Sequence, residues 1–168
     1  MADDEAGADD CEAMPAPVAD ADPEFVLATQ LEEFLLGHWS AVDWGRRLVL
    51  WHAPDGTRGH QLSTPIGRLD LLCIDSSTNA LVVVGLQRGR SADQVIGQVA
   101  RNMGWVRAHL AADSQAVAGI VVARVCDDRL RYAAAAVPGL TVFTYQLNFE
   151  LVPAPEVTRS EALSRTLG

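Results

Sequence analysis

Between Arg68 and Leu86 the chain reads as two apolar runs around one polar break. Arg68 to Asp75 is the first run, Asp75-Ser76-Ser77-Thr78-Asn79 is the break, and Ala80 to Leu86 is the second. The unbroken Leu81-Val82-Val83-Val84 core constrains the fold most, because alternate residues of a strand point to opposite faces. A strand apolar on both faces has to lie centrally in a sheet that is covered on both sides. The break is too polar to pack and supplies the turn between two strands.

The cover is legible in the flanking segments. Asp22 can cap a helix that begins at Pro23, with Phe25, Ala28, Leu31, Phe34 and Leu35 recurring on one buried face until Gly37. Glu24, Glu32 and Glu33 are expected on or beside its wetter side. Ser91 followed by Gln94 is a capping box, and Val95, Val99, Met103, Val106 and Leu110 mark one face of a helix running to about Ala112. Arg47–His52 reads as a strand with a turn at Pro54–Gly56, and Thr64–Gly67 as the turn into Arg68–Asp75. Ala116–Val125 is a further buried strand, Asp127–Val137 a short helix stopped by Pro138-Gly139, and Thr141–Val152 a strand pair or one bent strand. Helix, three strands, helix, strand, helix, strand predicts an α/β fold with a mixed central sheet flanked by helices.

Charge divides the 168 residues unevenly. Residues 1 to 24 hold nine acids and no base, whereas residues 25 to 168 hold thirteen of each, so the net charge of -9 belongs to the N-terminal segment. Residues 1–21 are expected to be a disordered acidic tail, residues 22–153 the folded domain and residues 154–168 a C-terminal tail. Every base is arginine, which excludes Schiff-base and lysine general-base chemistry. Cys11, Cys73 and Cys126 have no metal spacing and read as buried free thiols in a reducing compartment. With no signal-like start and no apolar stretch of about 20 residues, a cytoplasmic protein without a membrane span is expected.

Few residues offer chemistry. Asp70 stands at the start of an apolar strand, where it needs backbone N–H caps or a partner such as Arg68. Gly85 and Gln87 are two apart and share a face of the next strand, with Arg88 and Arg90 at its end; strand alternation turns Arg88 away from Gln87. A glycine inside such a strand costs about 0.5–1 kcal/mol relative to alanine. His38, His52, His60 and His109 lack zinc spacing, and Gly85–Gly89 lacks the lysine of a phosphate loop. Arg68, Arg88, Arg90, Gln98, Arg101 and Arg107 form a polar ribbon able to meet phosphates. Trp39, Trp44, Trp51 and Trp105 serve as core or as interface anchors.

Thr64 to Leu72, the Val82 to Arg90 run and Gln94 to Trp105 resemble the metal-dependent PD-(D/E)XK nuclease superfamily, most closely the nuclease domain of NucS-type endonucleases and its single-domain relatives. The resemblance spans residues 24 to 152 and implies a restriction-endonuclease-like fold. It assigns Asp70 to the first metal-binding aspartate, Glu33 to an accessory acid and Gln98 to a helix glutamine, with Asn102 where the family has tyrosine. Gly85 stands at the position of the acidic metal ligand and Gln87 at that of the catalytic lysine.

Two-carboxylate metal hydrolysis needs ligands for a divalent ion and a cation beside them. The expectation is therefore a nuclease-like domain without catalysis, acting by binding nucleic acid or protein, with no cofactor. The alternatives are a divergent Mg- or Mn-dependent DNA endonuclease using Glu33, Asp70 and an arginine, or a homo-oligomeric interaction subunit. Partners expected on these readings are DNA, another protein or a second copy in a homodimer.

Overall fold

The computed structural model describes residues 23–89, 91–146 and 151–153, with side chains from residue 27. The expected tails, the Asp22 cap, Cys11, Arg90, the Phe25 and Glu24 side chains and the far part of the 141–152 run lie outside these residues.

The described chain runs α1 (Pro23–Gly37), a 3-10 turn (Trp39–Ala41), β1 (Leu48–Leu50), β2 (His60–Thr64), β3 (Gly67–Asp75), β4 (Ala80–Leu86), α2 (Ala92–His109), β5 (Val117–Ala123), α3 (Asp128–Ala135) and β6 (Leu140–Thr144). The six strands form one mixed sheet in the order β1-β3-β4-β5-β6, with β2 also on β3. β1 and β2 share one side of the long β3, β1 at its Cys73–Asp75 end and β2 at its Gly67–Leu71 end. β3 and β4 form an antiparallel hairpin, while β4, β5 and β6 run parallel. The α2 and α3 crossovers supply the length that parallel pairing requires.

β4 is central and buried at every position, as its composition demands. Leu81 and Val83 pack with Val95, Val99, Met103 and Val106 of α2 and Leu130 of α3 on one face. Val82, Val84 and Leu86 pack with Leu31 and Leu35 of α1 and with Trp44 on the other. Each such aliphatic side chain stabilises the fold by about 1.5–3 kcal/mol. α1 thus covers one face, and α2 with α3 the other. Trp44 is the fully buried tryptophan; Trp39, Trp51 and Trp105 are half-buried.

Several expectations need correction. A fourth strand, β2, precedes β3; its His-Gln-Leu-Ser-Thr sequence is too polar to announce itself. α2 ends at His109 rather than Ala112, and the last described strand stops at Thr144. Phe34 is 53% exposed and stacks on His38 instead of joining the core. Glu32, expected on the wet side, is 2% exposed. Cys73 is buried as expected, but Cys126 is exposed. Burial pushes the Cys73 thiol up to about 12, which makes it an inert core group.

Candidate functional site

The β3–β4 hairpin is in register from Asp75↔Ala80 to Leu71↔Val84. Beyond that register, the Leu86 N–H is taken by Asp70 Oδ2 at 2.8 Å, while the next N–H, that of Gln87, goes to the Val122 carbonyl of β5 at 2.9 Å. The Asp70 carboxylate therefore fills the gap where the two strands part. The distortion also shows in the core: Leu69 and Leu72 belong to one cluster and Leu71 and Cys73 to the other, so alternation breaks at Asp70. Opposite it on β2, between the paired His60↔Leu71 and Leu62↔Leu69, Gln61 adopts a left-handed φ of 47°. For a residue other than glycine that conformation costs about 1–3 kcal/mol.

The strained turn of β2 has a use. Neighbouring residues of a regular strand point to opposite faces, yet His60 and Gln61 both reach Glu32 on α1. Gln61 Nε2 donates to Glu32 Oε2 at 3.2 Å, and His60 Nε2 lies 3.2 Å from Glu32 Oε1. Despite that approach, Oε1 is a buried oxygen without a hydrogen-bond partner. His60 is 35% exposed, so solvent reaches the cluster from that side.

Asp70 and Glu32 are two buried carboxylates, and burying such charges is costly unless a cation joins them. Arg88 is that cation. Its Nη2 lies 2.5 Å from Glu32 Oε2 and 3.5 Å from Asp70 Oδ1, and Nη1 donates to Thr29 Oγ1 at 3.4 Å. With a side chain 7% exposed, Arg88 is an interior residue rather than the open phosphate contact expected of it. The reason is local: β4 ends at Leu86, so alternation no longer governs where residue 88 points, and the buried acids do. Asp70 is thus capped by a backbone N–H as expected, and among the described residues the guanidinium beside it is that of Arg88 rather than Arg68. The acid beside it is Glu32; Glu33 is exposed.

Gly85 and Gln87 lie elsewhere. A Cβ on Gly85 would collide with Val99 Cγ2, so Gly85 lies directly under α2 and has no space for a side chain unless Val99 moves. Gln87 lines a cavity of about 290 Å³ at the ends of β4, β5 and β6, together with Ser91, Arg124, Arg129 and Tyr145. The expected grouping of Asp70, Gly85 and Gln87 in one shallow polar site is therefore not what forms. Gln98 on α2 is half-buried and its Nε2 lies 3.5 Å from the Arg68 carbonyl, and Gln98 and Arg101 border a shallow open depression. Arg68, Arg101 and Arg107 are exposed, and Asn102 is buried. The sequence reading missed Glu32, His60, Gln61, Arg124 and Arg129. Only Glu32 carried a signal, since it lies four residues after Ala28 and three before Leu35, inside the apolar stripe.

These residues do not suit a divalent ion. Both carboxylates are already engaged by the Arg88 guanidinium, Gly85 offers no side-chain ligand and is overlain by Val99, and among the described residues no group of three His, Cys, Asp or Glu side chains converges. No described helix is long and apolar enough to cross a membrane.

No protein-family model matches the chain, and no curated protein matches it. Three solved structures do. A repair endonuclease from Pyrococcus abyssi shares 14% identity over 70% of this chain and 46% of its own, with a TM-score of 0.53. EndoMS in a dsDNA complex shares 16% over 84% and 51%, at 0.52, and apo EndoMS 18% over 73% and 47%, at 0.50. The chain spans about half the length of these structures. At such identities the likeness is one of fold, and the mixed sheet flanked by helices has the restriction-endonuclease-like architecture of those structures.

Proposed function

We propose that this chain is a nuclease-like domain that binds nucleic acid without cutting it. The observation that carries the reading is Gly85 beneath Val99: the position that the resemblance gives to the acidic ligand has no side-chain ligand, and a Cβ there would have to displace Val99. Gln87 removes the neighbouring ammonium as well, and losing one preorganised electrostatic donor commonly costs roughly 3 kcal/mol of barrier. Cations remain for binding. Arg124 and Arg129 line the Gln87 cavity, and exposed Arg68 and Arg101 flank Gln98. Guanidinium groups hold phosphates bidentately. Because one structure of like fold is a complex with dsDNA, duplex DNA is the first ligand to test.

The alternative, a divergent Mg- or Mn-dependent endonuclease, is favoured by one observation: the fold does gather Glu32, Asp70 and an arginine. A single set of titrations separates the two. Labelled duplex DNA is titrated by anisotropy across a salt series without divalent ions, and single-stranded, branched and mismatched DNA are incubated with Mg2+ or Mn2+. Binding that weakens with salt is expected, with the slope reduced by about 2 in Arg124→Ala/Arg129→Ala if each contacts one phosphate. Cleavage that disappears in Asp70→Asn establishes the alternative, and absence of DNA binding at low salt rejects the proposal.

A further inference from the structure

We propose that Arg88 is the resident cation of the Glu32–Asp70 pair, standing where a divalent ion would have to stand, so that the domain works without a metal and excludes one. The inference does not depend on which ligand the domain binds.

Three observations meet in it. Arg88 Nη2 contacts both acids at once, at 2.5 Å and 3.5 Å, and its side chain is as enclosed as theirs. Asp70 Oδ2 and Glu32 Oε2 have further donors, the Leu86 N–H and the Gln61 amide, so the acids are held as acceptors in a fixed frame. His60 adds a second nitrogen beside Glu32 Oε1. A small hard cation needs oxygen ligands at about 2.0–2.6 Å and completes its shell with water. The guanidinium already takes one oxygen of each acid, Glu32 Oε2 and Asp70 Oδ1, and entry of a doubly charged ion beside it would set like charges against each other.

Removing the guanidinium therefore uncovers a divalent-cation site of two carboxylates open to water. The full-length protein is titrated with Mn2+, free ion being read by electron paramagnetic resonance and folding by far-UV circular dichroism. Wild type is expected to show no Mn2+ uptake attributable to Asp70, its isotherm coinciding with that of Asp70→Asn, which also subtracts the acidic N-terminal segment. Arg88→Ala is expected to take up one additional Mn2+ per chain at least ten-fold more tightly, and Arg88→Ala/Asp70→Asn to lose it. If Arg88→Ala is unfolded in the absence of metal, refolding by Mn2+ supports the proposal equally. Mn2+ uptake by wild type that vanishes in Asp70→Asn or Glu32→Gln overturns it. So does a folded Arg88→Ala that takes up no additional ion, or an unfolded one that Mn2+ leaves unfolded.

Discussion

Replacing Arg88 by methionine tests how the interior charges are held, since methionine keeps most of the aliphatic volume and deletes only the cation. At an effective dielectric constant of about 20, the 2.5 Å contact with Glu32 corresponds to a gross attraction of about 7 kcal/mol and the 3.5 Å contact with Asp70 to about 5 kcal/mol. Desolvating three charged groups offsets most of that, so the net stabilisation from the cluster is small. Deletion behaves differently from absence: it leaves two buried carboxylates without the Arg88 charge, and breaking a buried pair typically costs about 3–5 kcal/mol. Against a usual total of about 5–15 kcal/mol, that is a large part of the fold's stability. Adding Glu32→Gln removes one carboxylate charge, so the double variant should be more stable than the sum of the single effects predicts, by about 2 kcal/mol. Urea denaturation of wild type, both single variants and the double variant at pH 7, with unchanged m-values, measures this coupling. An Arg88→Met cost below about 1 kcal/mol, or strict additivity, would refute the picture of a guanidinium that neutralises two buried acids.

Two other outcomes are expected. Gly85→Glu should destabilise the protein by at least the 1–3 kcal/mol typical of overpacking, because its Cβ meets Val99, and Val99→Ala in the same chain should recover part of the loss; equal denaturation midpoints with and without Val99→Ala would count against the collision. The Ser77 hydroxyl and N–H, donating to Asp75 Oδ1 at 2.6 and 3.0 Å, hold the Asp75 carboxyl below its ordinary 3.8. Its contribution to stability is thus complete above about pH 4 and is lost as pH falls through the lower folded-state value, so Asp75→Asn should be destabilising at pH 7 and progressively less so in acid. A difference that stays constant down to about pH 2.5 would contradict that linkage.

How much of this was legible depends on which rule governed each residue. β4 could be read directly because Leu81 to Val84 satisfies a central strand and little else, whereas Asp127, read as the first residue of a helix, is the N-cap of α3, accepting the Leu130 N–H at 2.8 Å. Glu32 was misplaced because two rules disagreed: helical spacing put it inside and its charge argued for water. Spacing prevailed since Arg88, 56 residues away in sequence, supplies the counter-charge. β2 stayed hidden because an edge strand need not be apolar, and the left-handed Gln61 interrupts its period. Arg88 was beyond reach of alternation once the strand had ended. Gly85 is legible as a glycine inside an apolar strand, but its burial under Val99 depends on how α2 lies across the sheet, which no local pattern encodes.

The fastening of Arg88 also bears on its neighbour in the Gln87 cavity. Gln87 is held on one side through its N–H to Val122 and followed immediately by a side chain locked to α1. The backbone that presents the Gln87 amide to the cavity is therefore ordered by folding itself. A ligand entering beside Arg124 and Arg129 meets a wall whose conformational freedom has already been surrendered, and loses less entropy on association than it would against a mobile strand end. On the binding proposed above, the interior salt cluster, small in its net effect on stability, is expected to raise affinity at a surface it does not touch.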